Sequence, residues 1–321
     1  MRICILDGYE ANPGDVSWEP ITSLGSTSIY DESAPCDIVP RLLHHDVLVL
    51  NRIRVDEVLL QQLPDLKMIT TLATGYNQID LQATAARGIP VCNVPSYCTE
   101  AVSQFTFALI LELANHIGEH SRLVRSGDYE QSREATYFSL PFLELAGLTL
   151  GIFGYGEIGS RVARLALSFG MRVLLCSRTH KPAPEGCRWV SEDTLLRESD
   201  ILTLHCPLTE ETYHFLNAQR IARMKPGARV INVSRGGVVD SRALADALSS
   251  GHLAGAAVDV LPQEPPCPDE PLLTAPHCLV TPHIAWASRI ARQRVIERAA
   301  ANITGWFSGQ PQNVVNGVLP R

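Results

Sequence analysis

The chain is short of positive charge: 27 lysines and arginines stand against 34 aspartates and glutamates, a formal net charge of −7 over 321 residues. That leaves no basic field for a phosphate backbone, so nucleic acid is not an expected partner. No apolar run approaches the roughly 18 residues that span a bilayer. The N-terminus, MRICILDGYE, also lacks the apolar region and small-residue cleavage site of a secretory signal. A cytoplasmic protein without a membrane partner is expected. The nine cysteines (Cys4, Cys36, Cys92, Cys98, Cys176, Cys187, Cys206, Cys267, Cys278) are scattered and form no C-x-x-C. They read as reduced, buried thiols, with neither a disulfide scaffold nor a metal site. Internal repeats and low-complexity tracts are absent as well. What is present, 45% hydrophobic and 19% charged residues, suffices for an ample core and two domains.

One stretch organises the rest. Residues 148–161, LTLGIFGYGEIGSR, run from an apolar, β-prone segment into Gly154, Gly156 and Gly159 and then into a helical pattern through Val162, Leu165 and Ala166. The glycine spacing alone is a weak signal. Its setting strengthens it: strand before, amphipathic helix after, and a second strand, Arg172 to Ser177, at the expected distance of about 20 residues. In a dinucleotide site the first Gly permits the turn, the second lets backbone approach a pyrophosphate, and the third lets helix and strand pack closely. The helix N-terminus then faces the phosphates.

Around this stretch the chain alternates strand and helix. Residues 2–7, 46–51, 67–73 and 90–94 read as four strands, with helices at Val55 to Gln62 and Ile79 to Arg87, an α/β unit without a glycine loop. After Pro95, SYCTEAVSQFTFALILELANHIGEHSRLVRSG reads as one long helix, with Ser96 or Thr99 as N-cap. Six further strands follow: Leu148 to Gly154, Arg172 to Ser177, Ile201 to Cys206, Ala228 to Ser234, Ala254 to Val260 and Cys278 to His283, as a doubly wound sheet requires. Polar residues punctuate their carboxyl ends, where such sheets bind ligands. The Pro-rich piece 262–271 reads as a rigid loop between two strands of this sheet. A last helix, Arg289 to Gly309, leads to a tail expected to fold back on the first unit. The expected domains are 1–98 with 288–321, and 99–287.

Five segments, GYGEIG (154–159), HCPLTEET (205–212), MKPGARVINVSRGGVVD (224–240), AAVDVLPQEPP (256–266) and TPHIAWAS (281–288), together resemble the D-isomer-specific 2-hydroxyacid dehydrogenases over nearly the full length. The resemblance implies an α/β fold of two Rossmann-like domains: a doubly wound parallel sheet for the cofactor and a smaller flavodoxin-like substrate domain. It implies a homodimer, in contact through the long helix after Pro95. It also puts the catalytic Arg, Glu and His on Arg235, Glu264 and His283. The residues themselves suit those roles. Arg235 follows an apolar strand and precedes two glycines, and its planar fork of donors matches a carboxylate as Lys would not. Imidazolium at His283 is a natural proton donor to a developing alkoxide. A carboxylate at Glu264 bonded to His283 would fix its tautomer and favour its charged form.

The other site residues carried by the resemblance are Thr74 and Gly75, whose turn can bind the substrate carboxylate, and Trp286, which lines the pocket or packs on a partner subunit. Arg52 either approaches the same cleft or is merely solvated. For the cofactor they are Thr106, Tyr155, Gly156, Glu157 and Ile158, then Cys206, Pro207, Thr212, Ser234 and Asp259; His205 reads as framework or cofactor contact. Asp259 either accepts from the carboxamide or caps the next turn. The second strand ends in Ser177 and Arg178, with Lys181 nearby, where an NAD-preferring site has an acidic residue. NADP(H) is therefore favoured over NAD(H), unless Arg178 stacks on adenine and selects neither. The branch resembled is that of glycerate dehydrogenase and hydroxypyruvate reductase, which turn a small 2-keto acid into its D-hydroxy acid in a cleft that closes over the ligands. Two rivals stand beside this: a non-enzymatic, dinucleotide-sensing corepressor, and oxidation of phosphite or formate. The intact Arg235, Glu264 and His283 set argues against the first.

Overall fold

The computed structural model describes residues 1–140 and 142–320; Pro141 and Arg321, the last residue of the tail, lie outside that description. The chain divides into two compact units, Met1–Cys98 with Trp286–Arg321, and Thr99–Ala285. In the first, strands β1 (Arg2–Ile5), β2 (Ser26–Ile29), β3 (Val47–Leu50), β4 (Met68–Thr71) and β5 (Val91–Cys92) form a sheet of order β2-β1-β3-β4-β5. Every pairing is parallel. This is the flavodoxin-like 2-1-3-4-5 order. The runs VLVL and MITT of β3 and β4 are buried at every position, as a sheet covered on both faces requires. The C-terminal helix Arg289–Phe307 packs against β4. Beyond it, Val314 bridges Cys92 in antiparallel fashion. The fully buried Asn302 donates to Asn93 O (2.9 Å) and accepts from Asn313 Nδ2 (2.8 Å), which ties the tail down.

The second unit holds β6 (Thr149–Phe153), β7 (Arg172–Cys176), β8 (Cys187–Trp189), β9 (Ile201–Leu204), β10 (Ala228–Asn232), β11 (Leu253–Val258) and β12 (Cys278–Val280), in the order β12-β11-β10-β9-β6-β7-β8, all parallel. Counted from β6 this is the doubly wound 3-2-1-4-5-6 arrangement with a seventh strand added at one edge. The strand order therefore reverses between β6 and β9, where ligands of such sheets bind.

Four expectations need correction. Two strands escape the sequence pattern: β2, whose STSI is exposed or half-buried throughout, and the three-residue β8. Both are edge strands, with no buried face to impose an apolar pattern. The long helix after Pro95 is broken: Thr99–Asn115 ends, His116 takes a left-handed conformation (φ 49°), and a new helix runs Ile117–Arg125. Glu112 drives the break, because its carboxylate accepts from Gly118 N at 3.1 and 3.3 Å and so serves the first turn of the second helix. Thr99 is the first helical residue rather than the one before it, and Ser96 stands outside the helix at φ 56°. Finally, none of the nine cysteines is in a disulfide, yet only Cys4, Cys92 and Cys206 are buried and Cys36 is exposed.

Candidate active site

Beyond the carboxyl end of β6, the three glycines of the loop meet three different demands. Gly154 takes φ +97°, and a Cβ there would lie 2.6 Å from His205 C and 2.7 Å from Cys206 N, beyond the end of β9. Gly159 sits against the turn itself, its added Cβ 2.2 Å from Gly154 O. Gly156 is the N-cap of the helix Glu157–Ser168, supplies no side-chain cap, and would meet nothing within 4 Å if it carried a Cβ. Free approach over Gly156 to an uncapped helix N-terminus is the space that a pyrophosphate needs, so these residues fit a dinucleotide. Gly156→Ala is expected to leave folding intact and raise the KM of the cofactor about tenfold or more, since the methyl group stands where phosphate must approach. Gly159→Ala is expected to lower the melting temperature as well, because its Cβ has nowhere to go. Thermal melts beside cofactor titrations check the pair.

Around this loop Tyr155 is buried, with its ring edge-on to Trp189 at 5.2 Å. Glu157 is exposed and Ile158 is half-buried. Beyond β7, Ser177 is half-buried and Arg178 exposed, with Arg178 Nη1 at 3.6 Å from Glu211 Oε2. Beyond β9, His205 Nε2 bonds Thr203 Oγ1 at 2.9 Å, and burial pushes its imidazolium down to about 3, so the ring is neutral. Cys206 is buried and its thiol pushed up to about 11 by burial, hence unreactive. Pro207 is exposed, and its carbonyl accepts from Thr212 Oγ1 at 2.6 Å. Thr212, half-buried, therefore shapes the loop. Thr106 is fully buried and gives its hydroxyl to Val102 O at 2.8 Å, so as placed it offers a cofactor no polar group.

Beyond β10 the turn that carries Ser234 and Arg235 is organised by Asn232, a residue the sequence reading passed over. Asn232 is 1% exposed. Its Oδ1 accepts from Ser234 N (3.0 Å) and Oγ (2.8 Å), and its Nδ2 donates to Arg235 O (2.9 Å). Arg235 Nη1 donates to Ser234 O at 2.7 Å. The next residue, Gly236, is pressed onto the loop beyond β11: a Cβ there would lie 2.0 Å from Leu261 C. Arg235 is thereby set beside the segment that carries Glu264.

Glu264 is held at both oxygens. Oε1 accepts from Leu261 N at 3.0 Å, and Oε2 meets His283 Nδ1 at 2.6 Å. His283, beyond β12, takes a left-handed conformation (φ 56°) that costs a non-glycine residue energy and persists only where its surroundings impose it. Asp259 imposes it. Its carboxylate is 1% exposed and accepts from Thr281 Oγ1 (2.6 Å), Ile284 N (2.9 Å) and Ala285 N (2.8 Å), bracketing His283 on both sides. Burial raises the Asp259 carboxyl, and those three donors together with His283 pull it back. Of the two roles open to Asp259, the structure shows the turn-holding one. An Asp directly after an apolar strand was the available signal.

In the first unit, Thr74 is exposed, donates Oγ1 to Val94 O (2.9 Å) and has its own carbonyl bonded by Asn93 Nδ2 (2.8 Å); Gly75 follows half-buried. Arg52 Nε pairs with Glu10 Oε1 at 2.9 Å. Trp286 is half-buried and packs edge-on to Tyr97, 6.1 Å between centroids. No helix among the described residues is long and apolar enough to cross a membrane.

Comparison with known proteins agrees with this geometry. The NAD binding domain model of D-isomer specific 2-hydroxyacid dehydrogenases matches residues 107–285. A hydroxypyruvate reductase of Blautia hydrogenotrophica is 39% identical over 98% of this chain and 100% of its own. A glyoxylate reductase of Thermococcus litoralis is 43% identical over 82% of this chain and 81% of its own. Among solved structures, the TT0316 protein of Thermus thermophilus superposes with a TM-score of 0.85 at 35% identity, covering 98% of this chain and 100% of that one. Both named relatives are reductases, which favours the enzymatic reading over the corepressor. With its doubly wound sheet, its glycine loop and its paired Glu264 and His283, the chain belongs to the D-isomer-specific 2-hydroxyacid dehydrogenase family and is an oxidoreductase that uses a nicotinamide dinucleotide.

Proposed function

We propose that the protein reduces short 2-keto acids, hydroxypyruvate and glyoxylate, to D-glycerate and glycolate, with NADPH preferred over NADH. The observation that carries the catalytic part is the 2.6 Å bond between His283 Nδ1 and Glu264 Oε2, on a turn that Asp259 holds and beside the strand end that bears Arg235. A bound reduced nicotinamide supplies the hydride. Glu264 accepts a hydrogen bond from Nδ1–H of His283, which fixes the tautomer and leaves Nε2–H to give its proton to the oxygen of the developing alkoxide. Arg235 holds the substrate carboxylate and polarises the adjacent carbonyl. Arg52 and the Thr74–Gly75 turn bind the substrate in the same reading, which takes Met1–Cys98 with Trp286–Arg321 as the substrate unit. Thr99–Ala285 is then the dinucleotide unit.

The substrate class rests on the two named relatives. The cofactor preference rests on Ser177 and Arg178 where an acidic residue would repel a 2′-phosphate. Glu211 tempers it, since its carboxylate already lies 3.6 Å from Arg178. The reading includes a homodimer: Ile117 and Val124, on the helix Ile117–Arg125, are 62% and 55% exposed, and Phe138 and Phe142 after it are 79% and 63% exposed. Such a stretch suits burial against a second copy. Nine cysteines outside any disulfide suit a reducing compartment, and the cytoplasm is the location taken. Steady-state kinetics with hydroxypyruvate, glyoxylate, pyruvate and longer 2-keto acids against NADPH and NADH is the test. The expected result is highest kcat/KM for hydroxypyruvate or glyoxylate with NADPH. A clear NADH preference removes the Arg178 argument, and preference for a long keto acid removes the substrate assignment.

A further inference from the structure

The loop that carries Arg52 follows β3, and β3 lies beside β1 in the first sheet, so the segments beyond both strands meet at the sheet's carboxyl edge. There Asp7 takes φ 51°, a left-handed conformation at a non-glycine residue. Its carboxylate accepts from three successive backbone N–H groups: Asn51 N to Oδ1 at 2.9 Å, and Arg52 N (2.6 Å) and Ile53 N (3.1 Å) to Oδ2. Consecutive N–H groups turned to one point form an anion cradle, and here the anion is a side chain of the protein itself. Glu10 continues the grip by pairing with the Arg52 guanidinium at 2.9 Å and accepting from Asn51 Nδ2. Gln78 closes it from the other side, donating Nε2 to Asn51 O at 2.6 Å. All these contacts lie within one unit.

We infer that Asp7 is a positioning residue for substrate recognition: seated in the Asn51–Ile53 cradle, its carboxylate fixes the direction in which Arg52 is presented to an anionic substrate. The inference rests on the reading of Arg52 as a substrate contact. It also makes the loop sensitive to acid, since a protonated carboxyl puts a hydroxyl where two N–H groups need an acceptor. Burial, together with the nearby Glu10 charge, raises the Asp7 carboxyl to about 6 against the pull of the three N–H bonds. The charged groups that bear on the cradle are Glu10, from the turn after Asp7, and Arg52, which Glu10 pairs. The sign for stability is distinctive. A raised carboxyl takes up its proton more readily in the folded than in the unfolded protein, so between about pH 6 and the ordinary carboxylate range, acid stabilises the fold through this group even as it frees the loop.

The experiment is the pH dependence, from 5 to 8, of kcat and KM for hydroxypyruvate at saturating reduced cofactor in the wild type, Asp7→Asn and Arg52→Ala, together with amide exchange protection at residues 51–53. In the wild type the KM for hydroxypyruvate rises and protection at residues 51–53 falls as pH drops through about 6. In Asp7→Asn the KM is raised about tenfold at pH 7.5 with kcat and cofactor KM little changed, and the acid rise is gone. Arg52→Ala also lacks the acid rise. Wild-type KM in Asp7→Asn at pH 7.5, or an acid rise that survives in either variant, overturns the inference. If the wild type turns over no short keto acid, the substrate reading fails instead. The cradle is then judged on exchange alone: unchanged protection at residues 51–53 across pH 6 overturns it.

Discussion

Replacing His283 by Ala is expected to lower kcat by about 10²- to 10⁴-fold, the range that one positioned proton donor contributes, while the KM of the cofactor stays within about twofold. The separation follows from where His283 sits. It lies on the turn beyond β12, and it bonds Glu264 and the backbone of its own turn. Removal should therefore leave the glycine loop and the cradle for phosphate as they are. The turn should survive as well, because Asp259 bonds Thr281, Ile284 and Ala285 but not His283. Glu264→Gln tests the same unit more gently. The carboxylate serves Leu261 N with one oxygen and His283 Nδ1 with the other, and an amide has one acceptor oxygen for those two donors. A loss of about 10- to 100-fold in kcat follows for a group that orients another. Single-turnover reduction of hydroxypyruvate reads both directly, and a His283→Ala enzyme at wild-type rate removes the proton-donor role.

Arg235→Lys is expected to fail almost as badly as Arg235→Ala. Truncating one member of a desolvated, hydrogen-bonded charge pair costs about 2–5 kcal/mol, which is roughly 30- to several-thousand-fold in kcat/KM for the keto acid. Lysine keeps the charge but loses the fixed, planar fork that meets both carboxylate oxygens at once. The backbone should tolerate either change: Asn232 holds the turn through Arg235 O and Ser234 N and Oγ, and the substitution removes only the Arg235 Nη1 bond to Ser234 O. Unchanged melting temperatures in both variants, beside a collapsed kcat/KM, are the expected pair of results. Full activity in Arg235→Lys would mean that charge alone is used at this position.

Much of this site was legible because its parts are short and local. Gly154 and Gly159 answer backbone demands, at the neighbouring strand end and within a few residues, that no other residue type meets, while Gly156 leaves the approach to the helix N-terminus open. Strands such as ILTL and VLVL announce burial on both faces by their composition. Where the pattern was silent, the physics was too. The edge strand STSI has no face to bury, and the break at His116 depends on Glu112 reaching forward to Gly118 N, a contact between a side chain and a backbone group six residues on. Asp259 could be read as a ligand contact or as a cap, and its three donors show it holding the turn.

The sequence by itself determined the alternation of strand and helix and the place of the dinucleotide loop, since these depend on spacing along the chain; Arg235, Glu264 and His283 became candidates through the resemblance to a family. Only the tertiary structure decided which residues hold which. Glu264 reaches His283 because β11 and β12 pair side by side, and Asp7 finds the amides of residues 51–53 because β1 lies against β3. Those meetings join groups 19 and 45 residues apart. Hydrophobic periodicity reports only which face a residue turns, so pairs set by the order of strands across a sheet leave no trace in the local pattern.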